Sequence, residues 1–134
     1  MNELDLNLDD GILINYKIGT PIPSTFNNRN FTQLNNGFSI NVDDNAIASL
    51  FVCFRTGYEN FQEFRGTVTV NNEKYTIQSN TTYEEITKIL GEPSDTWNDG
   101  VEQCATFVKS EIVIEVIWHV DVFQSLDYIS IELN

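Results

Sequence analysis

The sequence predicts an α+β domain: a mostly antiparallel β-sheet with one short helix, at about residues 82–90, packed on it. Three observations predict it. Only one stretch has a helical period, with a start and a stop signal at its ends. Almost everything else reads as short apolar runs separated by polar joints, the pattern of strands. No linker rich in Gly, Ser or Pro divides the 134 residues, which suit a single domain spanning residues 1–134. A domain of this size buries roughly two-thirds of the surface its unfolded chain exposes.

Residues 12–18 alternate and predict a strand. Residues 21–36 are rich in Asn and lack a period, so a loop is expected there. Phe38, Ile40 and Val42 alternate with polar residues, Asp43-Asp44-Asn45 marks a turn, and residues 47–54 form a second run. Thr67-Val68-Thr69-Val70 and Lys74-Tyr75-Thr76-Ile77, joined by Asn71-Asn72-Glu73, predict a hairpin. In the helix, Thr82 and Glu85 form a capping box, and Tyr83, Ile86, Ile89 and Leu90 share one face. Gly91 is placed to adopt the left-handed conformation that ends a helix, and Pro93 prevents its resumption. Asp95 to Gly100 then reads as a turn. Residues 104–108, 112–120 and 126–133 complete a meander, because their joints suit antiparallel neighbours. The middle one is nearly all apolar, as a strand covered on both faces would be. In the last, Leu126, Tyr128 and Ser130 are expected on one face and Ile129, Ile131 and Leu133 on the other.

An internal echo links Ile18-Gly19-Thr20-Pro21 with Leu90-Gly91-Glu92-Pro93. Each is followed by an acidic turn and a strand, at Asp43-Asp44 and at Asp121. Two degenerate repeats would produce this echo, and so would chance, since Gly-x-Pro commonly ends an element.

Composition excludes several functions. Seven basic residues against 20 acidic give a net charge of -13. That opposes gripping a phosphate backbone or an anionic membrane, so neither nucleic acid nor membrane is an expected partner. An apolar content of 41% is too high for a disordered acidic tail. The N-terminal segment alternates acids with leucines instead of forming a secretory signal, and no window approaches the ~18 apolar residues of a membrane span. A cytoplasmic protein is expected.

Catalytic signals are weak. Cys53 and Cys104 are too few for a zinc site and are expected as buried, reduced thiols; a bridge between them is the alternative. The single histidine, His119, lies in the most apolar run and reads as a structural residue. No spacing selects one carboxylate pair over another for acid–base work. The segment starting at Asp95 fails as a calcium loop, because its third position is Trp97 and its twelfth Thr106. No catalytic residue, metal or cofactor is expected.

The string Thr82-Tyr83-Glu84-Glu85-Ile86-Thr87-Lys88-Ile89-Leu90-Gly91-Glu92-Pro93-Ser94-Asp95 resembles one found in small bacterial domains. There a helix ending in Leu-Gly-x-Pro feeds a meander of antiparallel strands. This is the repeat of the beta-lactamase-inhibitory-protein and outer-membrane-assembly-lipoprotein type, and the resemblance covers residues 73–134. The lipoproteins carry a leader and a lipidated cysteine, which are not seen in this sequence. Similar small acidic proteins serve as immunity proteins beside secreted bacterial toxins, so the resemblance implies an inhibitor.

The charge supports that expectation. A small domain needs about 2–8 units of net charge for solubility, and self-repulsion beyond that destabilises it. An acidic surface speeds encounter with a basic partner, such as a toxin domain that cleaves nucleic acid. The expected contact residues are Asp43, Asp44, Asp95, Trp97, Asp99 and Asp121, with Tyr58 and Trp118 as further aromatic candidates. The alternatives are a small binding or scaffold domain, an inhibitor that mimics DNA with its carboxylates, and an enzyme.

Overall fold

The computed structural model describes residues 3–27 and 29–134. Met1, Asn2 and Asn28, within the N-terminal and Asn-rich segments read above, lie outside the described residues. The fold is α+β, mostly antiparallel, and its strands sort into two sheets.

The smaller sheet is built from β1 (Asp5–Asn7), β2 (Ile12–Leu13), β3 (Tyr16–Lys17), β7 (Thr67–Val70) and β8 (Glu73–Tyr75), in the order β3-β2-β1-β7-β8. β1 pairs with β7 in parallel, Leu6 opposite Val68. Gly66 permits this approach, because a Cβ there would run into the carbonyl oxygen of Leu4. Residues 12–18 are therefore a tight hairpin and not one strand. Ile14 takes a positive φ of 64° at the turn, and its N–H donates to the Asp5 carbonyl at 2.9 Å.

The larger sheet holds β4 (Phe31–Gln33), β5 (Phe38–Asp43), β6 (Ala46–Cys53), β9 (Asp95–Asn98), β10 (Glu102–Lys109), β11 (Ile112–His119) and β12 (Ser125–Leu133). Its order is β4-β5-β6-β12-β11-β10-β9. Two of the loops expected from sequence contain strands: β4 lies inside the Asn-rich segment, and β9 occupies the turn expected after the helix. Two meanders, β4-β5-β6 and β10-β11-β12, meet at the central β6/β12 pair. The first segment of the internal echo leads into the three strands β4-β5-β6 and the second into the four strands β9 to β12, and a hairpin precedes the first where a helix precedes the second.

Helix α1 (Tyr83–Leu90) forms with its capping box intact: Thr82 Oγ1 accepts the Glu85 N–H at 3.2 Å, and Glu85 Oε1 accepts the Thr82 N–H at 3.0 Å. Its apolar face joins Ile86, Tyr83, Ile89 and Leu90 to a core shared by both sheets, with Leu6, Leu13 and Val68 from one and Leu50, Val52, Ile114 and Ile129 from the other. Trp118 belongs to this core, and its Nε1–H donates to the Thr81 carbonyl at 3.0 Å.

The facing of β12 differs from the sequence expectation at one end. Register with β11 slips between Ile117 and Trp118, so Tyr128 opposes Ile117 while Leu126 opposes Trp118. Asp127 is the extra residue of this bulge. Leu126 therefore faces the core with Ile129 and Ile131, and Tyr128 and Ser130 face outward.

Candidate partner-binding surface

The face of the larger sheet turned away from the core is set by alternation and register. One row across β6, β12, β11, β10 and β9 reads Cys53, Tyr128, Ile117, Cys104, Trp97. The next reads Phe51, Ser130, Glu115, Thr106, Asp95. Phe51, Tyr58, Phe61 and Tyr128 pack together there, with Phe51 to Tyr128 ring centroids 4.9 Å apart and Tyr58 to Tyr128 5.6 Å. Burial pushes the Tyr128 hydroxyl up to about 12, helped by the charges of Tyr58, Glu102 and Glu115. Cys53 and Cys104 are buried and free. They are separated by three strand spacings of ~4.8 Å, about 14 Å, far beyond the reach of a disulfide.

At one end of this sheet the β9–β10 turn and the β11–β12 loop meet, the Val120 N–H donating to the Val101 carbonyl at 2.8 Å. Asp99 shapes the turn by accepting the N–H groups of Glu102 at 2.8 Å and Val101 at 2.9 Å, and these bonds lower its pKa. Four large apolar side chains are exposed at this end: Trp97 (44%), Val101 (48%), Val122 (76%) and Phe123 (56%). Phe123 is held in place. Its N–H donates to His119 Nδ1 at 3.4 Å, and the Arg55 guanidinium lies 4.0 Å from its ring centroid.

Arg55 is fixed in turn. Its Nε donates to Asp127 Oδ1 at 2.7 Å and its second amine to Oδ2 at 3.3 Å, while Ser125 Oγ donates to Oδ1 at 3.0 Å. The hydrogen bond to Asp127, whose carboxylate is 1% exposed, raises the Arg55 pKa. The bulge is what turns Asp127 toward this network. Chemically the result is an exposed apolar surface with carboxylates at its margin, beside a Ser125 hydroxyl that is bonded to the buried Asp127 carboxylate.

Of the residues expected from sequence, Asp95 and Trp97 lie on β9, Asp99 in the following turn and Asp121 in the adjoining loop, all exposed. Asp43 and Asp44 do not join them. They form the β5–β6 hairpin turn at the opposite end of the sheet, because β6 runs antiparallel to β12 and Asp43 pairs with Ala46. Asp99 is tied to its own backbone, so its first role is to build the turn. Trp118 is a core residue. Sequence reasoning missed Val101, Val122, Phe123 and the Arg55–Asp127 pair. The Val122-Phe123 dipeptide carried a signal, since two large apolar residues inside a short polar joint are unexpected without a partner for them.

No protein-family model matches the chain, and no curated protein matches it. Among solved structures the chain is similar to a DUF4309 family protein (YjgB) from Bacillus subtilis, with 13% sequence identity and a TM-score of 0.44. The likeness covers 72% of this chain and 56% of that one. The chain thus spans little more than half the length of that protein's structure, and the likeness carries no argument about function.

Proposed function

We propose that this protein binds a basic protein partner and neutralises it, as an immunity protein neutralises a secreted toxin domain. It works in the cytoplasm and without catalysis or a cofactor. One observation carries this reading: Trp97, Val101, Val122 and Phe123 are exposed toward the sheet end that also bears Asp99 and Asp121, with Asp95 further along β9, on a chain of net charge -13. An apolar centre with a charged margin is the anatomy of a contact in which desolvated anchors set the lifetime and charges set the encounter rate. No cation lies in the two rows of outward-facing residues, and the nearby Arg55 is committed to Asp127.

The test uses a basic toxin domain whose toxicity the protein suppresses on co-expression. Association should slow by about an order of magnitude or more as the Debye length shrinks from ~30 Å at 0.01 M salt to ~8 Å at 0.15 M. Reversing Asp95 and Asp121 to Lys should lower the on-rate similarly, while Phe123→Ala should chiefly raise the off-rate. Reversing Asp43 and Asp44, at the far end of the sheet, is the control. Equal slowing by both reversals would reduce the effect to net charge. A salt-independent rate would remove the charge argument altogether.

A further inference from the structure

The larger sheet ends at β9, and among the described residues β9 pairs only with β10. The Asp99 N–H donates to the Glu102 carbonyl at 3.1 Å, which fixes the phase of that ladder. Trp97 and Asp95 then turn their backbone groups toward β10, and Thr96 and Asn98 turn theirs to the open edge. The Thr96 N–H donates to Asp95 Oδ1 at 3.0 Å, but among the described residues no such local bond is made by the Asn98 N–H or the two carbonyls. Natural edges are blunted by lysines, and both edges of the smaller sheet carry one, Lys17 on β3 and Lys74 on β8; β4, the other edge of the larger sheet, has none but is three residues long and packs Phe31 against Tyr16 and Phe26. β9 carries none, and all four of its residues are exposed.

Beside this edge runs a groove of about 710 Å³ between β9 and α1. Tyr83, Thr87 and Gly91 line one wall, spaced along one side of the helix, and Asp95 and Thr96 line the other. Glu92 stands at the end where α1 terminates, so the groove combines its carboxylate with the negative end of a helix dipole and has no lining cation, while Asp95 stands at the strand edge with Oδ1 on the Thr96 N–H.

We propose that the β9 edge takes an extended, cationic segment of a protein partner as an added strand. Asn98 and the Thr96 carbonyl supply main-chain hydrogen bonds. Alternate Lys or Arg side chains of the segment enter the groove toward Glu92 and the end of α1, and the intervening residues lie beside Trp97 on the outward face. The proposal deepens the function proposed above and rests on its basic partner, for which it specifies a docking mode.

A short alternating Lys–Val peptide tests it against the isotope-labelled full chain by NMR. Binding should shift the amides of residues 95–98 and 87–92 and slow exchange at the Asn98 amide by about tenfold or more. An alternating Glu–Val peptide should leave both unchanged, as should the Lys–Val peptide N-methylated on alternate residues. Asn98→Pro removes the edge N–H, which β10 does not need, together with the Oδ1 that accepts the Gly100 N–H at 2.9 Å, and should abolish binding; Asn98→Ala loses the same side-chain bond but keeps the edge N–H, and should still bind. Failure of the Lys–Val peptide to bind at about 1 mM would overturn the proposal. So would binding that shifts Val122 and Phe123 without protecting Asn98, and that result would leave the basic-partner reading intact. Equal binding of the two charge types would also overturn it.

Discussion

Gly91 shows how far a local signal reaches. The sequence predicts a left-handed residue at the end of α1, and φ is indeed positive at 88°, but ψ is −161°. That lies outside the left-handed helical well, in a region only glycine occupies freely. A Cβ would meet nothing within 4 Å, so a substitution there costs backbone strain alone. Gly91→Val should lower stability by about 1–3 kcal/mol. Gly91→Asn should fare little better than Gly91→Ala, because asparagine tolerates the left-handed well and not this one. A melting midpoint unchanged in all three would show that the helix ends otherwise. Cys53 yields a second expectation at this scale. Burial pushes its thiol up to about 11, with its S–H donating to the Arg55 carbonyl at 3.2 Å. About one thiol in a thousand is then ionised at pH 8, so modification under native conditions should be slow and should track unfolding. Rapid stoichiometric labelling of the folded protein would contradict this. The capping box was legible because its partners are three residues apart. The Asp127 bulge was not, because it exists only relative to a neighbouring strand.

Among the elements, hairpins with asparagine turns were the easiest to foresee. Asp44–Asn45 and Asn71–Asn72 take φ of 49°, 62°, 53° and 64°, the paired positive values that two-residue turns require. β1 and β9 were missed for the opposite reason: their alternating polar residues sit beside Asp and Asn, which look like turn formers in isolation. The elements are also tied together by charge. Asp9, after β1, accepts the N–H groups of Asn71 at 2.7 Å and Asn72 at 3.0 Å and lies 3.3 Å from Lys109 Nζ at the end of β10. One carboxylate thus joins both sheets. Burial alone would raise its pKa, but the two N–H groups and the ammonium outweigh that and hold it below the usual aspartate value. Since the folded value is the lower one, this stabilisation is present above the unfolded pKa and is lost as pH falls through about 4 and below. Asp9→Asn should therefore reduce stability near neutral pH and flatten the acid limb of the stability curve. An acid limb as steep as that of the parent would assign the pH dependence to other carboxylates.

For the whole molecule, strand content was legible and strand partners were not. The central β6/β12 pair joins Leu50 to Ile131, and the parallel β1/β7 pair joins Leu6 to Val68, both between segments far apart in the chain. Periodicity within a segment contains no information about such a partner. The same topology makes the first strand indispensable. β1 lies in the middle of the smaller sheet, so removing residues 1–9 would separate the β2–β3 hairpin from β7–β8, take Leu6 and Leu8 from the core, and delete the Asp9 tie. That truncated chain should lose its cooperative unfolding transition. A sharp transition near the parental midpoint would mean that the larger sheet and α1 suffice as a folding unit.

The two tryptophans divide the molecule's optical signals between them. Trp118 is buried, bonded to the Thr81 carbonyl and packed 5.5 Å from the Tyr83 ring, so its emission reports whether the core is intact. Trp97 stands exposed on the edge strand, and its emission reports what settles on that surface. A blue shift that vanishes in Trp97→Phe would come from occupancy of the surface, and a red shift that persists in it would come from unfolding. The chain thereby carries a separate fluorescent reporter for each event without any added label.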